Sequence, residues 1–114
     1  MKLSGKICKI RTVKNYPQAH NHLLVGRIEE SDTAAVMIYG KTYHYKRNIV
    51  SIRDVKVGSL GLRVLPWARI EIMNIIPPEF DYENAELGLS GDGEVTLKSA
   101  GGEISVFSSK DSSL

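Results

Sequence analysis

Apolar and polar residues alternate with a period of two along much of the first 76 residues, which is the pattern of half-buried β-strands. Four segments carry it, at Lys6–Val13, His22–Glu30, Lys41–Arg47 and Trp67–Ile76. Glycine, asparagine or proline separates such segments, and none shows a helical period over three turns. Short alternating strands of this kind predict an all-β fold, either a small barrel or a sandwich.

Less regular segments complete the predicted body. Ala34–Tyr39 and Ile49–Arg53 are apolar or β-branched and predict short strands. Leu60–Ile76 supplies further apolar strands, of which Trp67–Ile76 is the last. A helix, if there is one, is short and lies within Asn15–His22 or Pro78–Leu87.

Glycine and proline mark where the predicted strands bend and end. Gly26 lies inside a strand, where glycine is unfavourable unless the sheet bends sharply or another backbone approaches closely. A small barrel needs bends of this kind. Pro77 and Pro78 have no backbone N–H, so we expect them to end the last strand of the body.

The charge distribution divides the chain after Pro78. Residues 1–78 hold 13 Lys/Arg against 5 Asp/Glu, a net charge of +8, whereas residues 79–114 hold 2 against 8, a net charge of −6. This division predicts a basic body that meets polyanions, and an acidic tail. A solubilising tail beside an ordinary basic domain explains the charge equally well.

The tail contains one regular pattern. Glu94–Leu97 and Glu103–Phe107 alternate on either side of Ser99-Ala-Gly-Gly, which predicts a hairpin within residues 94–107. A lone hairpin is only marginally stable in water, so it must dock on the body, pair with a neighbour or stay mobile. The regular alternation favours docking. Residues 79–86 and 108–114 are expected to stay mobile.

Length and composition limit the class of protein. A chain of 114 residues can bury one modest core. No apolar run approaches the roughly 18 residues of a membrane-spanning helix, and the N-terminus lacks the apolar stretch of a secretory signal. The single cysteine, Cys8, excludes an internal disulfide and a cysteine-rich zinc site. We therefore expect a cytoplasmic protein without membrane association, in which Cys8 is a buried thiol.

Two adjacent blocks are more specific than composition. The first is Leu24-Val-Gly-Arg-Ile-Glu-Glu-Ser-Asp32 with the strand Val36-Met-Ile-Tyr39, and the second is Tyr45-Lys-Arg-Asn-Ile-Val-Ser-Ile52. Together they resemble the two signature motifs of the Sm-like family, particularly its bacterial RNA-chaperone branch. The resemblance covers residues 22–53 and implies a small, strongly bent Sm-like or SH3-like barrel that assembles into a homo-oligomeric ring. It also implies binding of RNA or single-stranded nucleic acid without catalysis.

The second block also has a direct chemical interpretation. It places an aromatic ring, two cations and an amide in succession, a set that can stack a base, contact phosphate and hydrogen-bond a base edge. Three further cations are expected to contribute electrostatically, and Ile49–Ile52 is expected to plug the barrel. The predicted nucleic-acid-binding residues are Tyr45, Lys46, Arg47, Asn48, Arg27, Lys41 and Arg53. The alternative is that Tyr43 and Tyr45 pack in the sheet while the cations are simply solvated.

The chain departs from the family pattern, and the departures keep a second function open. Thr33–Val36 stand where the family often has a base-stacking aromatic residue or a uracil-reading asparagine. The strands within Leu60–Ile76 exceed the five of the family, so the chain is predicted to be a remote and elaborated member. A structural or assembly module that binds only protein is the alternative function.

Other chemistry finds little support in the sequence. His20 and His22 would face one way on a strand and form a metal pair, with His44 as a third ligand only if the strands neighbour suitably. No nucleotide-binding loop is present. Trp67 either covers an open end of the barrel or stacks a base. We predict no catalytic residue, no cofactor and no metal.

Overall fold

The structure is a computed structural model that describes residues 1–14, 20–46 and 49–108, with side chains described as far as Val106. Within these residues the chain forms nine strands and two single-turn 3₁₀ helices, and no α-helix. The strands are β1 (Ile7–Thr12), β2 (Asn21–Ser31), β3 (Ala35–Tyr45), β4 (Val55–Val57), β5 (Gly61–Pro66), β6 (Ile70–Ile76), β7 (Glu86–Leu89), β8 (Glu94–Ser99) and β9 (Gly102–Ser108). The 3₁₀ turns span Ile52–Asp54 and Trp67–Arg69.

Six antiparallel strands form the larger sheet. Five of them lie in the order β4-β3-β2-β1-β6, and the sixth is β5. β5 also pairs with β3, along the half of β3 that β4 leaves free: Val36 lies opposite Leu65, whereas Tyr43 lies opposite Val57. The long β2–β3 hairpin is therefore the centre of the sheet, and the other strands attach to its two sides.

The larger sheet curls around an apolar cluster on one of its faces. The centre of this cluster is formed by Cys8, Ile10, Leu24, Ile28, Val36 and Ile38. Leu65 of β5 and Met73 of β6 both pack against it, although these two strands lie at opposite ends of the sheet. β5 and β6 do not pair with each other, so the sheet is barrel-like without being closed. The all-β prediction is confirmed.

The opposite face of the larger sheet is covered by a second sheet, β7-β8-β9. The buried residues between the two sheets are Ile7, Leu23, Val25, Tyr43, Tyr45, Val55, Ile76, Phe80, Tyr82, Val95, Leu97 and Val106. β8 and β9 form the predicted hairpin, with Ser99 opposite Gly102. The hairpin docks on the body, as its alternation of apolar residues indicated.

The structure of residues 79–86, which connect the two sheets, contradicts one prediction. Residues 79–86 were expected to stay mobile, yet Phe80 and Tyr82 are 3% and 5% exposed and belong to the core. Lys41 Nζ also donates a hydrogen bond to the carbonyl oxygen of Glu83. The acidic composition of this segment concealed two aromatic side chains that anchor it.

Several strand boundaries differ from those expected. The predicted break at Gly40 does not exist, because Gly40 continues β3 and lies opposite Gly26 on one side and Gly61 on the other. Ile49–Arg53 is not a strand: it leads into the first 3₁₀ turn, and Val50 and Ile52 are exposed. Ile49 is partly buried, but it packs against the core between the two sheets and not inside the curled sheet, so Ile49–Ile52 does not plug the barrel. Val55 is the buried residue of this region.

The structure confirms some of the remaining predictions of local structure and not others. Residues 78–87 contain no helix, and of the other proposed helical segment residues 15–19 lie outside the described residues. Cys8 is fully buried, and burial raises the pKa of its thiol to about 12. Trp67 packs against the cluster inside the curled sheet, and its Nε1–H donates to the carbonyl oxygen of Asp32 at 2.7 Å. No helix in the described part of the chain has the length and apolarity to cross a membrane.

Candidate nucleic-acid interface

The far end of the β2–β3 hairpin presents polar and basic side chains. Strand alternation buries Tyr43 and Tyr45 in the core, at 1% and 2% exposure, and turns His44 and Lys46 the other way. β4 then pairs with β3 so that Lys56 lies directly opposite His44. At this end of the hairpin, the face opposite the two-sheet core thus carries a row of nitrogen-bearing side chains.

These side chains line a cleft of about 330 Å³. Three cations, two imidazoles and one carboxylate form its wall: Lys46, Arg53, Lys56, His20, His44 and Asp54. All three cations are exposed, which leaves their charged groups accessible to a ligand. The cleft is therefore a positively charged concavity at one end of the molecule.

A short capped turn sets the position of Arg53. Ser51 Oγ accepts a hydrogen bond from the backbone N–H of Arg53, and Asp54 Oδ2 accepts from the N–H groups of Val50 and Ser51. These reciprocal bonds form a capping box around the first 3₁₀ turn. The N–H groups of Val50 and then Ser51 lower the pKa of the Asp54 carboxyl. Asp54 is thus engaged with the backbone, while the Arg53 side chain projects from the turn.

Two imidazole rings lie against each other beside the cleft. His22 and His44 face each other across β2 and β3, with ring centroids 4.0 Å apart and planes inclined by 8°. His22 is the more exposed ring. Partial burial lowers the pKa of His22, and the charges of His44, His20 and Arg69 lower it further. Near neutral pH, His22 is therefore an uncharged flat ring at the edge of a basic surface.

The arrangement suits a phosphate backbone. Flexible lysine ammonium groups and an arginine guanidinium are the donors that proteins use for phosphate oxygens, and planar rings are what they use for bases. The one carboxylate in the wall weakens the positive potential, but its hydrogen bonds to backbone N–H groups offset part of its charge.

The cleft brings together only some of the residues predicted from sequence. Lys46 and Arg53 line it, and Arg47 and Asn48 lie outside the described residues. Tyr45 is a correction: its ring is buried between the two sheets, so it presents no face on which a base can stack. The alternative interpretation, in which Tyr43 and Tyr45 pack in the sheet, describes both rings as the structure has them.

Arg27 and Lys41 lie elsewhere and have other partners. Arg27 forms an ion pair with Glu29 at 2.8 Å, and Lys41 binds the carbonyl oxygen of Glu83. Neither residue lines the cleft. Both cations are held beside the acidic segment that joins the two sheets.

Sequence reasoning missed Lys56 and considered His20 and His44 only as metal ligands. The available signal for His44 was its position two residues before Lys46, on the same face of an alternating strand. The signal for Lys56 was indirect: the capping-box spacing of Ser51 and Asp54 indicates the 3₁₀ turn that brings Lys56 opposite His44. Among the described residues, no group of three or more His, Cys, Asp or Glu is placed to hold a metal ion.

Comparison with known proteins does not name a family for the chain. No protein-family model matches it, and neither the curated proteins nor the solved structures contain a significant match. The similarity of residues 22–53 to Sm-like motifs thus stays a prediction, and arguments about function depend on the geometry of the cleft.

Proposed function

We propose that this protein binds RNA or another single-stranded nucleic acid without catalysing a reaction, and that the basic cleft is its binding site. One observation carries the proposal: three exposed cations line one concavity, namely Lys46 just after β3, Arg53 in a capped turn and Lys56 in β4. Cations that converge on one concavity create a local positive potential that attracts a polyanion.

Sm-like motifs in residues 22–53 support the same function from the sequence. Lys46, the second residue of the block Tyr45-Lys-Arg-Asn48, is in the cleft wall. We also propose that the protein is cytoplasmic, a location consistent with a single cysteine that is buried and forms no disulfide.

Removing charge from the cleft tests the proposal. The double variant Lys46→Ala/Lys56→Ala should weaken binding of a fluorescein-labelled oligo(U) 12-mer in fluorescence anisotropy. It should also reduce the slope of log affinity against log salt concentration by about 1.4, since each phosphate contact on a single strand contributes about 0.7. Oligo(A) should be affected to the same extent, because phosphate contacts do not read sequence.

A matched control removes the same charge at the other end of the hairpin. Lys2 and Lys6 are exposed, and the backbone of Lys6 bonds Ile28, close to the β2–β3 turn and away from the cleft. Lys2→Ala/Lys6→Ala should change affinity and slope much less than the cleft variant. Equal effects of the two double variants would show that binding depends only on the net charge of the protein. That result would contradict a site in the cleft.

A specific surface favours assembly as a second function. β5 and β6 each pair with a single neighbour among the described strands, and they expose Leu62, Val64, Ile72 and Ile75 at 45–59%. Exposed strand edges with apolar side chains favour pairing with another chain. We propose on this basis that copies of the chain associate through β5 and β6 into a homo-oligomeric ring.

Light scattering on the eluting peak of a gel-filtration column tests the ring. Leu62→Glu/Val64→Glu should convert the oligomer into a monomer of 12.6 kDa, since charged side chains on an edge strand oppose its pairing with another chain. An unaltered protein that is monomeric at high micromolar concentration contradicts the ring. If oligomers form but carry no nucleic acid, judged by the 260/280 nm absorbance ratio of protein purified in low salt, a protein-only assembly module is the better interpretation.

A further inference from the structure

The stacked imidazoles of His22 and His44 are accessible to a ligand. Their rings belong to neither apolar cluster, and His22, the second residue of β2, is exposed. Cross-strand aromatic pairs commonly stabilise a sheet. This pair also leaves the flat ring of His22 open to solvent beside a basic cleft, where it can bind a ligand.

We propose that the His22–His44 pair is a platform on which an unpaired nucleobase stacks while the neighbouring phosphates bind the cations of the cleft. The inference rests on the proposed function and names the class of ligand: a single strand with an accessible base, in preference to a duplex or a base-free polyanion.

Geometry is the first support. The two rings are held parallel, 8° apart, by direct opposition across the β2–β3 ladder. His44 lines the cleft and is also opposite Lys56 on β4, so ring and ammonium group occupy adjacent strands. Adjacent strands lie about 4.8 Å apart, so the two side chains leave the sheet side by side.

The ionisation of His22 is the second support. A neutral imidazole offers a π-face for stacking, whereas two protonated rings at 4.0 Å would repel each other. His22 faces His44 across the ladder and lies in the electrostatic range of His20 and Arg69, with Lys56 on the far side of His44. All of these neighbours are basic, which favours the uncharged form of His22.

Metal binding is a poorer explanation of the same rings. Two imidazoles that share a metal must direct a nitrogen lone pair of each at one point, and rings that stack face to face direct these lone pairs parallel to each other. No third ligand completes a site among the described residues.

The experiment compares two strands that differ only in their bases. Anisotropy titrations use a labelled oligo(dA) 12-mer and a 12-unit strand of abasic tetrahydrofuran sites, which carries the same phosphates. The unaltered protein should bind oligo(dA) about tenfold more tightly, a difference within the range of one stacked base. His22→Ala should remove that preference while leaving the salt dependence of abasic-strand binding unchanged.

A conservative variant separates stacking from charge. His22→Phe keeps a flat ring and removes the titratable nitrogens, so it should retain the preference for oligo(dA). If His22→Ala fails to fold by circular dichroism, His22→Gln replaces it, since glutamine keeps a polar chain of similar length without a ring.

Each result decides one of the two proposals. Equal, salt-dependent binding of both strands by the unaltered protein overturns the stacking platform and leaves nucleic-acid binding by the cleft intact. A preference for oligo(dA) that survives His22→Ala also overturns the platform. Binding of neither strand overturns the proposed function itself, and the inference with it.

Discussion

Gly26 of β2 and Gly40 of β3 lie directly opposite each other, and their backbones approach more closely than any side chain would allow. A Cβ added at Gly26 would come within 2.6 Å of the Cα of Gly40. Contact at this distance is far inside van der Waals range and falls on backbone, which cannot rotate away. At this pair the backbones of β2 and β3 come unusually close together.

Alanine at Gly26 should therefore destabilise the fold by about 1–3 kcal/mol, the usual cost of overpacking. Chemical denaturation followed by circular dichroism measures the change. Gly91→Ala is the matched control, because a Cβ at Gly91 meets nothing within 4 Å and should leave the free energy of unfolding nearly unaltered. A Gly26→Ala protein as stable as its control would contradict the close approach.

The second sheet should be essential to the core, as a matched pair of leucines can test. Leu97 is fully buried, whereas Leu62 is 57% exposed. Leu97→Ala should cost about 2–5 kcal/mol, because it removes buried apolar atoms and leaves a cavity. Leu62→Ala should stay within about 0.5 kcal/mol when it is measured on the monomer, because β5 is the edge proposed to pair with a second copy. Ending the chain after Pro78 should abolish cooperative melting, and a truncated protein that melts as the full chain does would show that the second sheet is dispensable.

Acid should weaken the protein partly through Asp54. Backbone N–H groups of Val50 and Ser51 hold its pKa below the ordinary value of 3.8, so the ionised form stabilises the folded state above that pH. The contribution is lost as the pH falls through the lowered pKa. Asp54→Asn should therefore melt at a lower temperature than the unaltered protein at pH 6, and the difference should shrink towards pH 2.5. A constant difference across this range would contradict the assignment.

Cys8 should be unreactive in the folded protein. Burial raises its thiol pKa to about 12, so the thiolate that attacks disulfide reagents is scarce at pH 8. Reaction with Ellman's reagent should be about 1,000-fold slower than in denaturant on thiolate abundance alone. Rapid labelling of the native protein would place Cys8 at the surface instead.

The strands that sequence predicted well are those with regular alternation and clear ends. β1 and β2 follow their patterns to within a residue or two, and β6 ends at Ile76 because two prolines follow. Gly26 correctly indicated a close backbone approach. Gly40 misled, since glycine is often a strand breaker and only its pairing with another glycine keeps it inside β3.

The candidate site was harder to predict because it depends on contacts between segments distant in sequence. The aromatic ring of Tyr45 suggested a residue that stacks a base, but Tyr45 is buried by a second sheet that covers that face of β3. Lys56 reaches the cleft only through the turn at Ile52–Asp54. The signal for that turn was present: Ser51 followed by Asp54 three residues later is a capping-box spacing, and it marks a turn instead of a strand.

Strand β1 gives the fold a particular order of assembly during synthesis. Ile7 lies opposite Ile76, and Lys9 Nζ donates to the carbonyl oxygen of Ser105, 96 positions further along the chain. The β2–β3 hairpin closes a short loop and can form while the ribosome is still translating, whereas the outer edge of β1 has no partner until β6 has emerged. Strand β1 is made before the other strands of its sheet and is among the last of them to be fully paired, so its apolar residues stay exposed in the nascent chain until β6 is made.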